Sequence, residues 1–331
     1  YNASGNSYEA LTAPQTVAAG EQFIRVELGG GTFHFCPQND VVLEAGSCYT
    51  YTVKVNATGL TLEDCTIGDW TDGGNENVGI KEVIAIYDGT ETEPKIGDYY
   101  YSDGTWSDGG LRKLYADGTM GWAETKPQNG KNVIAIVFHA GHHANDASDY
   151  SATGIGSEKC HGYAVALQDA TSSHCLWGVY GTELGCYPTD GGNKQDNLST
   201  PDIDWSGYAW TQKIITAAGG KENLNATEQS GYPATYYAVV DYENNKAQAP
   251  VNSSGWFLPS IGQMRNVYQN RTSLFDGKTG VSVLQMDWYW SSSEYYDEPA
   301  YYALYVNVGN GRVADDYKDD SDSYVRPVLA F

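Results

Sequence analysis

Five histidines and a run of aspartates carry the most reactive chemistry in this chain. His139, His142 and His143, with His161 and His174 further on, form the densest set of candidate metal ligands. A bound transition metal needs two or three imidazoles converging with a carboxylate. His139 and His143 have helical spacing, but Gly141 and the apolar run before them point to a strand end and turn. Polar loop histidines are therefore the expectation. Asp315, Asp316, Asp319 and Asp320, with Asp322, make an oxygen-rich loop. Calcium takes about six to eight oxygen ligands, so this loop is the candidate calcium site. Its D-D-x-x-D-D order lacks the alternating spacing of a known calcium loop, and acidic runs are commonly just solvated. No cofactor is expected, with calcium the one ion the loop could take.

Trp106 and Trp288 lie near turns, where an indole face can stack on the apolar face of a sugar ring. Asp103, Asn310, Asp315 and Asp316 complete a candidate ligand-binding set. Trp290, inside Tyr289-Trp290-Ser291-Ser292-Ser293-Glu294, reads as core. Glu294 and Arg326 stand in otherwise apolar strand motifs and predict a buried ion pair tying a hairpin to the last strand. No G-x-S-x-G, H-E-x-x-H, phosphate loop or dinucleotide fingerprint occurs. Acidic residues are abundant, but no spacing singles out a glycosidase pair. The residues thus point to a binding protein, with no catalytic residue and no enzyme activity expected.

These residues need elements to position them. Residues 255–264 read as a capped helix start, with Ser260 accepting from the Gln263 N–H and Gln263 reaching back to the Ser260 N–H. Ile261, Met264 and Val267 or Tyr268 follow at helical spacing. Residues 289–294 and 301–308 predict paired strands, turning at Gly309-Asn310-Gly311 on two positive-φ glycines. Upstream, residues 97–107 read as a hairpin with a Ser-Asp-Gly turn, 133–138 as a central strand and 163–167 as another. Ser206 can cap a helix with Trp210, Ile214 and Ala217 on one stripe, stopped by Gly219-Gly220; Pro233 suits the first turn of another over 234–242. Residues 1–75 read as all-β, with strands over 22–28, 32–35, 41–43 and 48–55, then shorter ones over 59–62 and 65–67.

Composition bounds the class. The 331 residues allow about two domains. With 41% hydrophobic and only 18% charged residues, 27 tyrosines and 38 glycines, the chain is built for strands and turns. A net charge of −23 repels phosphate backbones, anionic lipid and polyanionic glycans, which excludes nucleic acid. No apolar run is long enough to span a membrane as a helix. The six cysteines fall three and three across the two halves and contain no C-x-x-C. A disulfide Cys175–Cys186 or Cys160–Cys175, or buried free thiols, are all open.

Two resemblances add to this reading. Pro14-Gln15-Thr16, then L-E-A-G-S-C-Y-T-Y-T-V-K-V over 43–55 and T-I-G-D-W-T-D-G over 66–73, resembles the end of the C-terminal sandwich of fimbrillins, the Mfa-like pilins and tip proteins of Bacteroidales. W-F-L-P-S-x-x-Q-M, Y-W-S-S-S-E, the aromatic hairpin and V-R-P-V resemble the C-terminal domain of the Legionella collagen-like adhesin and its relatives. That family implies a C-type-lectin-like architecture. Its acidic glycosaminoglycan partner does not fit this chain's charge.

Together they imply a β-rich, two-domain chain: residues 1–77 as the end of a fimbrillin-like β-sandwich, and 78–331 as an α+β lectin-like adhesion domain. A partial sandwich implies that the chain lacks its beginning. The implied role is a fimbrial, outer-membrane-associated, extracellular adhesin. It would dock on neighbouring pilins by strand addition and hold a neutral glycan or surface protein. Because a domain follows where a donor strand would stand, a pilus-tip position is implied. A secreted carbohydrate-active or formylglycine-generating-type enzyme and a purely structural spacer are the alternatives.

Overall fold

A computed structural model describes residues 2–4, 7–9, 13–28, 31–44, 47–56, 59–69, 83–116, 118–157, 159–189, 204–275, 278, 280–320 and 323–331. Trp70, the 71–77 loop and Asp322 lie outside the described residues. The chain divides into two compact units, Tyr1–Glu82 and Val83–Phe331, and is β-rich with few helices.

The first unit consists of antiparallel pairs: β1 (Asn2–Ser4) with β2 (Ser7–Glu9), β3 (Gln15–Val17) with β6 (Val41–Leu43), β4 (Ile24–Leu28) with β5 (Gly31–Phe35), and β7 (Ser47–Asn56) with β8 (Gly59–Asp69). The last pair corrects the sequence reading. A single strand runs through residues 59–69 where two short ones were expected, because a register shift between Thr52 and Val53 absorbs the irregularity without ending the strand.

The second unit is organised on a five-stranded antiparallel sheet in the order β11-β10-β14-β15-β19. Its strands are β10 (Tyr99–Tyr101), β11 (Trp106–Ser107), β14 (Val133–Ala140), β15 (Gly162–Ala166) and β19 (Val328–Ala330). The central strand shows why its sequence is continuously apolar. Ala135 and Val137 join one buried cluster while Ile136 and Phe138 join another, so both faces of the sheet are covered. Tyr100 and Tyr99 divide between the same two clusters. A one-residue slip would exchange the two sets, which pins the register.

Two three-stranded sheets flank this one. β9 (Val83–Ile86), β12 (Leu111–Tyr115) and β13 (Met120–Trp122) form the first; β16 (Trp288–Glu294), β17 (Tyr302–Asn307) and β18 (Val313–Tyr317) form the second. In the expected hairpin only Gly311 of the two turn glycines has positive φ, at +76°. The Asn307 side chain organises the rest, its Oδ1 accepting from the Gly309 and Asn310 N–H groups at 2.9 and 3.2 Å.

Helix α1 (Gly207–Ala217) buries Gly207, Thr211 and Ile214; of the expected stripe Ile214 is in the core and Trp210 packs partly buried against it, while Ala217 is exposed. Ser206 precedes it without a side-chain cap, since its hydroxyl accepts from the Ala147 N–H at 3.0 Å. Pro233 opens α2 (Pro233–Tyr236), which runs through a π turn (Tyr237–Asp241) into α3 (Tyr242–Asn245). Helix α4 (Ile261–Phe275) buries Ile261, Met264 and Val267.

The start of α4 is the reciprocal cap its sequence predicts. The Ser260 N–H donates to Gln263 Oε1 at 2.9 Å, and the Gln263 N–H donates to Ser260 Oγ at 3.4 Å. Ser260 Oγ also donates to the Asp204 carbonyl at 2.5 Å. Because this hydroxyl is fully buried, Ser260→Ala should cost about 1–2 kcal/mol. The urea midpoint of the protein measures it; a shift worth only a few tenths would show the cap to be idle.

Candidate functional site

Trp106 stands half-buried on β11, the edge strand of the five-stranded sheet, and lines two grooves. Its strand pairs back on β10, with Tyr100 opposite Trp106, through the turn Ser102-Asp103-Gly104. Gly104 is required there twice over. Its φ is +77°, and a Cβ on it would lie 1.9 Å from the Asn252 side chain, which abuts the turn and donates to the Gly104 carbonyl at 3.3 Å. Asp103 is spent on the same turn. It accepts from the Thr105 hydroxyl at 2.6 Å and pairs with Lys131 at 2.9 Å, contacts that draw its pKa down to about 2. Trp106 Nε1 donates to the Thr92 carbonyl at 3.0 Å, and its ring lies 5.7 Å from His161 and 5.5 Å from Phe331. The indole is thus fixed from behind and half-buried, with a face left over.

The larger groove, about 500 Å³, runs past Thr90, Glu91, Ser107, Asp108 and Gln128. The smaller, about 160 Å³, is lined by Ile155, His161, Asn252 and Phe331. The two acids in the larger groove are both ion-paired. Glu91 accepts from the Asp88 and Gly89 N–H groups at 2.9 and 3.1 Å and pairs with Lys95 at 3.1 Å. Asp108 grips Arg112 through both oxygens, at 2.9 and 2.7 Å. Desolvation pushes the Asp108 carboxyl up, but Arg112 and the Gly110 N–H outweigh it, and its pKa lies below the ordinary value. Although the chain is strongly acidic, this groove offers an aromatic face among hydroxyls and amides, with its acids paired and the exposed Lys126 also in its lining. Such a lining suits a neutral polyol.

The other predicted ligand residues lie elsewhere. Trp288 belongs to the β16-β17-β18 sheet and stacks on Tyr305 with centroids 4.0 Å apart, partly buried against the core. Asn310 is a turn residue whose Oδ1 accepts from the Arg312 N–H at 2.9 Å. Asp315 and Asp316 are consecutive on β18, opposite Leu304 and Ala303, so their side chains leave opposite faces. Asp319 accepts from the Gln229 amide at 3.4 Å, and Asp320 closes the next turn through its N–H to the Tyr317 carbonyl at 3.1 Å. Among the described residues no group of three or more His, Cys, Asp or Glu is placed to hold a metal ion.

His139 and His143 lie together, with ring centroids 5.2 Å apart, while His161 and His174 lie elsewhere. His139 and His143 pack on Trp205, His142 Nδ1 lies 3.4 Å from Cys160 Sγ, His161 is exposed, and His174 pairs with Asp287 at 3.0 Å. Cys160, Cys175 and Cys186 are free and buried, so neither candidate disulfide forms. Burial pushes the Cys160 and Cys175 thiols up to about 12 and Cys186 well above its ordinary range, so these three are held as neutral thiols.

The expected Glu294–Arg326 pair is corrected into two pairs. Glu294 binds Lys318 at 2.5 Å, and Arg326 binds Asp169 at 2.8 Å. No local pattern singles out Lys318, which stands among aspartates and reads as solvated. Yet it is fully buried under the Trp177 ring. His161, Asn252 and Phe331, which complete the Trp106 grooves, were equally invisible as a group, because only folding brings such distant segments together.

A family model described as fimbrillin-like matches residues 1–70. The structure is similar to the crystal structure of a fimbrial protein from Bacteroides ovatus, with a TM-score of 0.50 and 16% identity, covering 72% of this chain and 49% of that one. A share of 72% exceeds the 82 residues of the first unit, so the fold in common reaches well into the second. The match spans about half of that fimbrial protein's length. No curated protein matches the chain.

Proposed function

We propose that this chain is a non-catalytic subunit of a cell-surface fimbrium, and that its second unit attaches to a neutral glycan through the grooves that Trp106 lines. The subunit role is supported by the fimbrillin-like match over residues 1–70 and by the fold in common with a fimbrial protein. The attachment role is carried by one observation. A single indole is held by its Nε1 bond to Thr92, with grooves of about 500 and 160 Å³ beside it whose lining acids are already paired. Neighbouring subunits would join by strand addition to the first unit. The second unit, in place of a donor strand, would put this subunit at the end of the fibre.

Glycan-array binding of the protein tests the reading. Trp106→Ala should weaken the strongest neutral-glycan signal about tenfold, a typical worth of one stacked aromatic. An unchanged melting temperature would show that the fold survives the substitution. The same array with EDTA decides whether calcium on Asp315, Asp316, Asp319 and Asp320 contributes. Binding that ignores Trp106→Ala would move the site elsewhere, and the absence of any glycan signal would favour a structural spacer.

A further inference from the structure

The second unit has another surface of unusual composition. Tyr180, Tyr301 and Tyr317 are 44%, 43% and 41% exposed and lie together. The Trp177 and Gly178 N–H groups donate to the Lys318 carbonyl at 3.1 and 2.9 Å, and the Gly181 N–H donates to the Ala300 carbonyl at 2.9 Å. These bonds stitch residues 177–181 to the end of β18 and to the turn before β17. Tyr180 is thereby set 5.1 Å from Tyr301 and 5.7 Å from Tyr317, and Tyr317 stacks on Tyr302 at 4.7 Å. Three large rings held side by side in solvent by backbone bonds form a built platform.

Its surroundings are anionic. Glu298 is exposed at its edge and Asp319 is half-exposed. After desolvation and the neighbouring tyrosines, the charges of Asp319 and Glu298 raise the Tyr180 phenol, and Glu298 and Asp315 act likewise on Tyr302. The cation nearest in sequence, Lys318, is turned inward, where it donates to Glu294 and to the Thr182 carbonyl. The outward face therefore combines π-surfaces with negative charge, unlike the Trp106 groove with its paired acids.

We propose that this tyrosine face is a docking surface for a lysine- or arginine-bearing segment of a partner protein. A cation over a tyrosine ring is attracted by the ring quadrupole, and a guanidinium can stack there while its edge meets a carboxylate. The platform is open, which fits an extended segment better than an enclosed small molecule.

The experiment is a fluorescence titration of the protein with a short alternating Arg-Gly peptide, and with its Gln-Gly counterpart, at physiological salt. The Arg-Gly peptide should bind in preference. Tyr180→Ala/Tyr301→Ala and Glu298→Gln/Asp319→Asn should each weaken it about tenfold. Removing two exposed acids elsewhere, Asp149→Asn/Glu124→Gln, should change it less than about twofold, because salt screens distant charges. Equal losses in all three variants would reduce the effect to diffuse attraction by a chain of net charge −23 and overturn the proposal. So would equal binding of both peptides, or a tyrosine variant that loses neutral-glycan binding while keeping the peptide. Melting curves confirm that the variants are folded.

Discussion

Replacing Lys318 with Met should destabilise the second unit by roughly 3–5 kcal/mol, the usual result of leaving one partner of a buried ion pair uncompensated. Lys318 and Glu294 are both fully buried. The Glu294 carboxylate accepts from the Leu184 N–H at 2.9 Å, the Cys186 N–H at 2.8 Å and the Lys318 ammonium at 2.5 Å. The ammonium also donates to the Thr182 carbonyl at 2.7 Å and lies 4.7 Å from the Trp177 ring centroid. This pair joins the 182–186 segment, β16 and the end of β18, and Met fills the lysine's volume without its charge. What remains is a carboxylate in the core whose backbone donors cannot replace a cation. Desolvation pushes the Lys318 pKa below its ordinary value even against the opposing pull of Glu294, so the ammonium depends on that carboxylate for its charge. The double variant Glu294→Gln/Lys318→Met buries no charge and should recover part of the loss. Urea unfolding measures both. A single-variant loss below about 1 kcal/mol, or a double variant no better than the single, would show the pair to be dispensable.

The contrast between this pair and the cap on α4 shows what the sequence could reveal. Ser260 and Gln263 are three residues apart, so helix geometry alone dictates their reciprocal bonds, and both are present. The continuous apolar run over 133–138 likewise reads as a central strand, and β14 occupies the middle of its sheet. Glu294 and Arg326 were correctly read as buried and charged, because a charge inside an apolar strand must be paired. Their partners could not be read. Asp169 and Lys318 reach them through sheet order and loop return, which no local spacing encodes. β12 and β13 carry no clear local strand signal for a related reason. They are short, mostly half-exposed strands, and they form a sheet with β9 only through a long connection. Trp106 was legible because it stands beside a turn, whereas the grooves around it assemble from segments near residues 90, 107, 126, 155, 252 and 331.

Acid should weaken the protein in a window set by His139 and His143. Both imidazoles pack on Trp205, His143 in a parallel stack at 3.9 Å and His139 at 4.8 Å, with the Tyr163 ring 5.9 Å from His139. Burial, then the neighbouring His143 and His142, lowers the His139 pKa from its ordinary 6.5 to about 4. Burial lowers His143 too, against the opposing pull of the Asp146 carboxylate. His143 Nδ1 accepts from the Asn145 N–H at 3.2 Å, which fixes the ring as a neutral acceptor. The sign follows from which state takes the proton first. Between about 6.5 and 4 the unfolded chain binds a proton at His139 and the folded one does not, so stability falls as pH falls through that range and levels off below it; His143 acts in the same direction. For a half-buried imidazole the loss should be about 2 kcal/mol from His139. His139→Phe keeps a ring against Trp205 and removes the titration. Stability measured by urea unfolding at pH 7 and at pH 4.5 should therefore drop less in the variant than in the parent by that amount. Because every carboxylate in the chain titrates alike in both proteins, their difference isolates the imidazole. Parallel curves for the two would mean that His139 is already protonated, or freely hydrated, in the folded state.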